Sequence, residues 1–328
     1  MNDQKLQAGT VPILRFTLDR SVIIAFGCIV LMLLGGALYS REFLSPEYLL
    51  QQLQISAFLG IIASGAMMVI LIGHIDLSIP WTVTLGAMMA TAVAGWFGDI
   101  GNVVAIPVGV LCGALVGLLN GLGVAYLRLP SMIFTLGMNA VVQGLMVLHT
   151  GGFAPQDHAT DAMHFMAVGR LFFGFPNALF IWIIVGGFTT YLLTRTAFGR
   201  RVYAVGNRES AAYLSGVNTN GVIIWCFVLS GAAAAFAGVL LAGYSTKAYQ
   251  AMGDPYLLPA IAAVVLGGTN ILGGKGNYLG TIAGVILITL LQSILAVMQM
   301  PEAGRQIIYG VVILVMLLGY GRGEIDRK

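Results

Sequence analysis

The sequence predicts an all-α, polytopic integral membrane protein with about ten transmembrane helices and both termini in the cytoplasm. Three observations predict this class: the composition, a series of long apolar runs, and the distribution of basic residues. Of the 328 residues, 58% are hydrophobic and 9% are charged, and the mean hydropathy is +0.91. An average soluble domain carries about 25% charged residues, so we expect one membrane domain that covers residues 1–328.

The apolar runs predict α-helices because they are continuous and do not alternate with polar residues as barrel strands do. A helix needs roughly 20 apolar residues to cross a bilayer. The two runs that begin at Thr82 and Tyr256 are short. The predicted spans are 22–40, 55–72, 82–97, 103–126, 132–149, 177–193, 222–244, 256–270, 278–298 and 307–320.

Lys and Arg predict the orientation, because basic residues collect in cytoplasmic loops. With ten spans and the N-terminus inside, 12 of the 16 basic residues fall in inner segments and 4 in outer ones. This places segments 1–20 and 194–221 in the cytoplasm and the long loop 150–176 on the outer face. The inner residues are Lys5, Arg15, Arg20, Arg128, Arg195, Arg200, Arg201, Arg208, Lys275, Arg322, Arg327 and Lys328, and the outer ones are Arg41, Arg170, Lys247 and Arg305.

Catalytic patterns are missing from the sequence. The nearest approach to a phosphate-binding loop has Thr269 where the first Gly belongs and Gly276 where Ser or Thr belongs. The four histidines lack metal-site spacing, and no carboxylate pair shares a helix face. We expect no catalytic residue, no metal site, no cofactor bound by this chain and no nucleic-acid partner.

Small residues four apart predict helices that pack closely, because glycine lets two helix backbones approach each other. One such series is Gly113, Gly117 and Gly121, and another is Gly280 and Gly284. This pattern concerns packing and leaves the function open.

Several polar side chains lie at membrane depth, where an unpaired polar group is unfavourable. Thr135, Asn139 and Gln143 are spaced i, i+4 and i+8, so they share one helix face. Asn120 is a similar candidate. Two interpretations stay open: hydrogen bonds between helices, or the lining of a translocation pathway for a neutral, hydroxylated solute.

Asp76 lies in the run GHIDLSIPW, between two apolar spans. Ser78 and Pro80 in the same run favour a turn or a broken helix. Asp76 or Ser78 could cap the interrupted backbone, which is a structural role. The alternatives are a gate or hinge formed by Asp76, Ser78 and Pro80, and proton coupling through Asp76.

Four motifs together resemble the membrane permease subunits of bacterial ATP-binding cassette importers for monosaccharides, the ribose-type branch. They occur in the right order over nearly the whole chain. They are GHIDLS (residues 73–78), LPSMIFTLG (129–137), TAFGRRVYAVGNRESAAYLSGV (196–217) and VVLGGTNILGGKGNYLGTIAGV (264–285). The chain departs from the family pattern at His74, Ile79 and Pro80, where Gly, Val and Gly are usual.

The resemblance implies a ten-helix permease of the bacterial inner membrane. It would pair with a second permease copy or a homologue, dock ATPase subunits that carry ATP and Mg, and receive sugar from a periplasmic binding protein. Loop 150–176 would then be periplasmic, and segment 194–221 would be the coupling loop. In that loop Glu209, Ala211, Ala212 and Gly216 resemble the family's coupling pattern.

The coupling loop also carries Arg200, Arg201 and Arg208, which could pair with carboxylates of the ATPase. A role in topology alone is the alternative for these arginines. The glycine-rich run 267–276 is expected to form a tight cytoplasmic turn, either near the ATPase or as a plain connection.

The function expected from all of this is ATP-driven import of a monosaccharide or related hydroxylated solute. One alternative is a secondary transporter driven by an ion gradient, with Asp76 as the coupling carboxylate. Another is the same importer class with a nucleoside, an autoinducer sugar, a polyol or a branched-chain amino acid as its cargo.

Overall fold

The computed structural model describes residues 20–301, 303–311 and 314, and this part of the chain is helical with no β-strand. The predicted all-α class is confirmed. The helices are α1 (Arg20–Tyr39), α2 (Pro46–Leu71), α3 (Ile79–Tyr126), α4 (Ser131–His149), α5 (Asp161–Val168), α6 (Asn177–Arg195), α7 (Ala197–Asn207), α8 (Glu209–Leu214), α9 (Thr219–Ser245), α10 (Leu257–Leu266) and α11 (Tyr278–Val297). Short 3-10 turns lie at Arg41–Leu44 and Asp254–Tyr256.

Some predictions fall on residues outside the described part. They include most of the N-terminal segment 1–20, most of the last predicted span 307–320, and the location of both termini. Residues 303–311 form a helix that covers the start of that last span. Within the described residues, six helices are long and apolar enough to cross a membrane: α2, α3, α4, α6, α9 and α11.

Helix α3 is a hairpin of two helical arms. Gly98 has φ 53° and ψ −125°, a left-handed backbone that interrupts the helix. Asn120 Nδ2 donates to Ser78 Oγ at 2.8 Å, although a straight helix would separate these residues by about 63 Å. The arms, α3a (79–97) and α3b (99–126), therefore lie antiparallel and correspond to the two predicted spans 82–97 and 103–126.

Glycine contacts bring the backbones of α3b and α9 together, as the spacing of small residues predicts. A Cβ on Gly117 would meet the carbonyl oxygen of Phe227, and one on Gly121 would lie 2.7 Å from the Cα of Ile224. Helices α10 and α11 pack in the same way through Gly267 and Gly280. Nearly all of α2 from Ala57 to Leu71 is buried, so α2 is the central helix of the bundle.

Helix α10 is shorter than the predicted span 256–270. With its preceding 3-10 turn it covers 254–266, about 20 Å of helix, which is less than the roughly 30 Å of a bilayer core. The chain begins this short helix inside the bundle. Just before it, Gly253 N–H donates to Thr84 Oγ1 at 3.1 Å, and Thr84 lies on the second turn of α3a. Residues 267–276 then form a loop, so this apolar run does not cross the bilayer as one full helix.

Both long loops contain helices. In the predicted outer loop 150–176, α5 packs against the end of α9 through a hydrogen bond between His164 Nδ1 and the carbonyl oxygen of Gly243, at 3.0 Å. The predicted coupling loop 194–221 contains α7 and α8, which meet at the extended residue Arg208.

Candidate functional site

The connection between α2 and α3 forms a buried polar centre around Asp76. Asp76 Oδ1 accepts hydrogen bonds from Ser78 N–H at 3.0 Å and from Ser78 Oγ at 2.6 Å. Asp76 Oδ2 accepts from Ser230 Oγ at 2.9 Å. Ser230 lies 11 residues after the first residue of α9, about 16 Å along that helix, and the carboxyl group of Asp76 contacts α9 at this point. Asp76 therefore caps its own loop and joins it to α9 inside the bundle.

Asn120 belongs to the same centre. It is fully buried, and its amide nitrogen donates to Ser78 Oγ. Its Oδ1 atom is buried and accepts no hydrogen bond from the residues that the structure describes. Asn120 lies in the packed interior, where its hydrogen bond joins α3b to the start of α3a. Its role in a translocation pathway stays a prediction.

Helix α4 holds the backbone that precedes and begins α3. Thr135 Oγ1 accepts from Leu77 N–H at 2.9 Å, and Asn139 Oδ1 accepts from Trp81 N–H at 3.3 Å. Ser131 Oγ accepts from Ile75 N–H at 3.4 Å. Trp81 lies in the first turn of α3, where N–H groups have no partner within the helix, so Asn139 replaces a missing carbonyl group. Thr135 and Ser131 hold the loop that precedes the helix. Pro80, between Leu77 and Trp81, has no N–H to satisfy.

The polar face of α4 therefore divides into two parts. Thr135 is fully buried and Asn139 is partly buried, and both bind the chain around the Asp76 centre. Gln143, one turn further along, is exposed. Ser131 was not among the predicted site residues, although its position four residues before Thr135 on the same face is a signal that could have identified it.

Most of α4 is uncovered in the single chain. Ile133, Val141 and Leu148 are 71%, 55% and 77% exposed, and a Cβ on Gly144 would have no neighbour within 4 Å among the described residues. The amide of Gln143 lies on this open surface at membrane depth. An unpaired amide in hydrocarbon is unfavourable by several kcal/mol, so this surface suits contact with protein or water rather than lipid.

The predicted coupling residues lie on or beside α7 and α8. Arg200, Arg201 and Arg208 are exposed. Glu209 begins α8 and accepts a hydrogen bond from Arg128 Nη1 at 3.1 Å, which makes the two residues a salt bridge. Arg128 lies 81 residues earlier in the chain, so no local sequence pattern identifies it as the partner of Glu209.

The end of α8 is well defined. Ala212 is buried and its carbonyl oxygen accepts from Val217 N–H at 3.1 Å, whereas Ala211 is exposed. Gly216 follows with φ 80°, a left-handed conformation that glycine adopts without strain. Next to them Tyr213 and Leu214 are 67% and 85% exposed, so α8 presents a small apolar surface.

Helix α7 contacts the glycine-rich loop 267–276 and the end of α2. Tyr203 OH donates to the carbonyl oxygen of Gly276 at 2.9 Å, and burial raises the pKa of this phenol above its ordinary value. A Cβ on Gly206 would meet the carbonyl oxygen of Leu71. Gly274, at φ 77°, donates its N–H to the same oxygen at 2.9 Å. The glycine-rich loop is thus packed between α2 and α7.

Known proteins resemble this chain over most of its length. A family model described as "Branched-chain amino acid transport system / permease component" matches residues 48–317. A ribose import permease protein of Haemophilus influenzae is 32% identical over 317 residues, which cover 96% of each chain. An autoinducer 2 import system permease protein of Escherichia coli is 32% identical over 311 residues, 94% of this chain and 89% of that protein.

A ribose import permease protein of Escherichia coli is 33% identical over 282 residues, which cover 85% of this chain and 87% of that protein. No solved structure matches the chain.

Proposed function

Since this chain belongs to the family of branched-chain amino acid transport system permease components, we propose that it is the membrane subunit of an ATP-driven importer in a bacterial inner membrane. Its cargo is a monosaccharide or a related hydroxylated solute, delivered by a periplasmic binding protein. The ribose and autoinducer 2 import permeases among its relatives support this cargo class. The same relatives do not favour the ion-coupled alternative.

The observation that carries the proposal is the surface formed by α7 and α8. It combines exposed arginines with the exposed apolar side chains of Tyr213 and Leu214. A partner with carboxylates around an apolar cleft would complement both features. The partner that fits is an ATPase subunit, which binds ATP and Mg and drives transport from the cytoplasmic side.

Two sets of contacts connect this surface to the transmembrane helices. One leads from Glu209 through Arg128 to the start of α4, whose side chains hold residues 75–81. The other leads from Gly206 to the end of α2 and to Gly274. A displacement of α7 and α8 by the ATPase would therefore act on α2, α3a and α4 together, which is the motion that alternating access requires.

The uncovered surface of α4 supports a second permease subunit, identical or homologous. Its apolar residues would pack against the second subunit, and Gln143 would face the pathway between the two. An uncharged amide suits a neutral solute, because it exchanges hydrogen bonds with hydroxyl groups and releases them readily. In this arrangement Asn139 lies on α4 between the Asp76 centre and the pathway.

The test is affinity purification of the tagged chain from its native membrane, with identification of the proteins that accompany it. Leu214→Asp and Arg200→Glu alter exposed residues of the proposed docking surface, so both variants should insert in the membrane normally. The matched control is Leu171→Asp, which changes a residue that is 58% exposed in the predicted outer loop.

We expect an ATPase to accompany the wild-type chain and the control and to be lost from both docking variants. An ATPase retained by the two docking variants would place the docking surface elsewhere. Absence of any ATPase from the wild-type complex would contradict the importer assignment itself.

A further inference from the structure

A groove of about 700 Å³ runs between α6 and α11 on the outer surface of the bundle. Its walls are mostly apolar, with Ile183 on α6 and Ile282 and Ile286 on α11. Gly187 lines it as well, and a Cβ there would have no neighbour within 4 Å in the described part of the chain. The groove is therefore an open apolar channel along a membrane-spanning helix.

The cytoplasmic end of this groove is polar. Thr190 and Thr194 line both the groove and a second cavity of about 270 Å³, to which Tyr203 and Asn277 also contribute. Arg195, the last residue of α6, lines the groove at the same end. Arg195 is exposed and forms no salt bridge with the described residues.

The groove follows α6 from Leu179 to Arg195, about 24 Å of a hydrocarbon core of about 30 Å. Its part from Ile183 to Arg195 is about 18 Å long, slightly more than one leaflet. An occupant must therefore be apolar over that length and carry a negative charge at the cytoplasmic end. A guanidinium group binds a phosphate through two parallel hydrogen bonds, and basic pockets between helices on the cytoplasmic side suit phospholipid headgroups.

We propose that the groove between α6 and α11 binds one anionic phospholipid of the cytoplasmic leaflet, with an acyl chain along Ile183, Gly187 and Ile282 and its phosphate at Arg195. The lipid would lie beside Tyr203 of α7, which contacts the glycine-rich loop. The site is separate from the polar face of α4 and does not depend on the cargo of the permease.

The test is native mass spectrometry of the full-length chain in detergent, titrated separately with phosphatidylglycerol and with phosphatidylcholine. Arg195→Gln removes the positive charge, and Gly187→Leu fills the apolar groove. Two matched controls keep the groove intact. Arg200→Gln removes a neighbouring cytoplasmic charge, and Gly35→Leu adds a side chain on α1, where a Cβ also has no described residue within 4 Å.

We expect the wild-type chain to retain one phosphatidylglycerol, in preference to phosphatidylcholine. Arg195→Gln should lower the affinity for phosphatidylglycerol about tenfold and abolish the preference, since a charge-assisted hydrogen bond is lost. Gly187→Leu should lose both lipids, and the two controls should bind as the wild type does.

Three results would overturn the proposal. The first is equal binding of the two lipids by the wild-type chain. The second is unchanged phosphatidylglycerol binding in both groove variants. The third is displacement of the lipid by inorganic phosphate alone, because the polar end would then bind a free anion and the apolar groove would contribute nothing.

Discussion

Arg128 and Glu209 form a salt bridge of 3.1 Å between the loop that precedes α4 and the first residue of α8. Both side chains are partly in solvent, at 65% and 38% exposure. An exposed pair of this kind stabilises a fold by less than about 1 kcal/mol. The salt bridge matters for its position: it joins α8, on the proposed ATPase-docking surface, to the loop before α4, the helix that holds residues 75–81.

The first prediction concerns this salt bridge. Arg128→Glu places like charges together, so solute uptake should fall at least several-fold, while the thermal unfolding midpoint stays within about 2 °C of the wild-type value. The exchange of both charges, Arg128→Glu with Glu209→Arg, should restore part of the uptake. Reconstituted transport and thermal unfolding in detergent measure the two quantities. If the double exchange is no better than the single variant, the pair does not transmit movement.

The second prediction concerns Thr135. Thr135→Val removes the acceptor for Leu77 N–H and leaves a partly buried backbone donor without a partner. The loss of stability should be about 1–3 kcal/mol, observed as a lower unfolding midpoint. Thr135→Ser keeps the hydroxyl group and is the matched control, with a smaller effect. A midpoint for Thr135→Val equal to that of the wild type would contradict the role of Thr135 in holding the α3 start.

The third prediction concerns Gln143. Gln143→Leu changes an exposed side chain that forms no hydrogen bond within the described chain, so the stability of the single chain should not fall. If Gln143 lines the pathway, the KM for uptake should rise and the maximal rate should change by several-fold. Leu145→Met, on another exposed part of α4, is the control. Unchanged uptake kinetics in Gln143→Leu would leave this amide outside the pathway.

The fourth prediction distinguishes a structural Asp76 from an ion-coupling one. In Asp76→Asn the amide nitrogen cannot accept the hydrogen bond from Ser230, so stability should fall by about 1–3 kcal/mol. Ser230→Ala, which removes the donor, should reproduce part of this loss. Uptake by the surviving protein should stay dependent on ATP and unaffected by a protonophore. Uptake by the wild-type chain that a protonophore abolishes at constant ATP would support the ion-coupled alternative.

The fifth prediction concerns the contact between α3b and α9. Gly117→Ala introduces a Cβ against the carbonyl oxygen of Phe227, which must push the two backbones apart. Overpacking of this kind is unfavourable by about 1–3 kcal/mol. Gly144→Ala on α4 meets none of the described residues within 4 Å and should leave the unfolding midpoint unchanged. Equal midpoints for the two variants would show that the bundle accommodates the extra methyl group.

The sequence by itself determined the fold class and the close glycine packing, because both follow from short-range patterns in the chain. Lipid as a solvent requires continuous apolar helices, and that requirement is visible in any window of about 20 residues. The two spans on either side of Gly98 could be predicted in the same way. So could the shared face of Thr135, Asn139 and Gln143, since the helical period is local.

The tertiary structure decided which groups these residues contact. The partners of Thr135 and Asn139 are backbone N–H groups of Leu77 and Trp81, more than 50 residues earlier in the chain. Asn120 became a buried link, Glu209 paired with Arg128, and α10 became a half-length helix inserted at depth. Local hydropathy and periodicity cannot specify such contacts, because they depend on how helices far apart in sequence pack against one another.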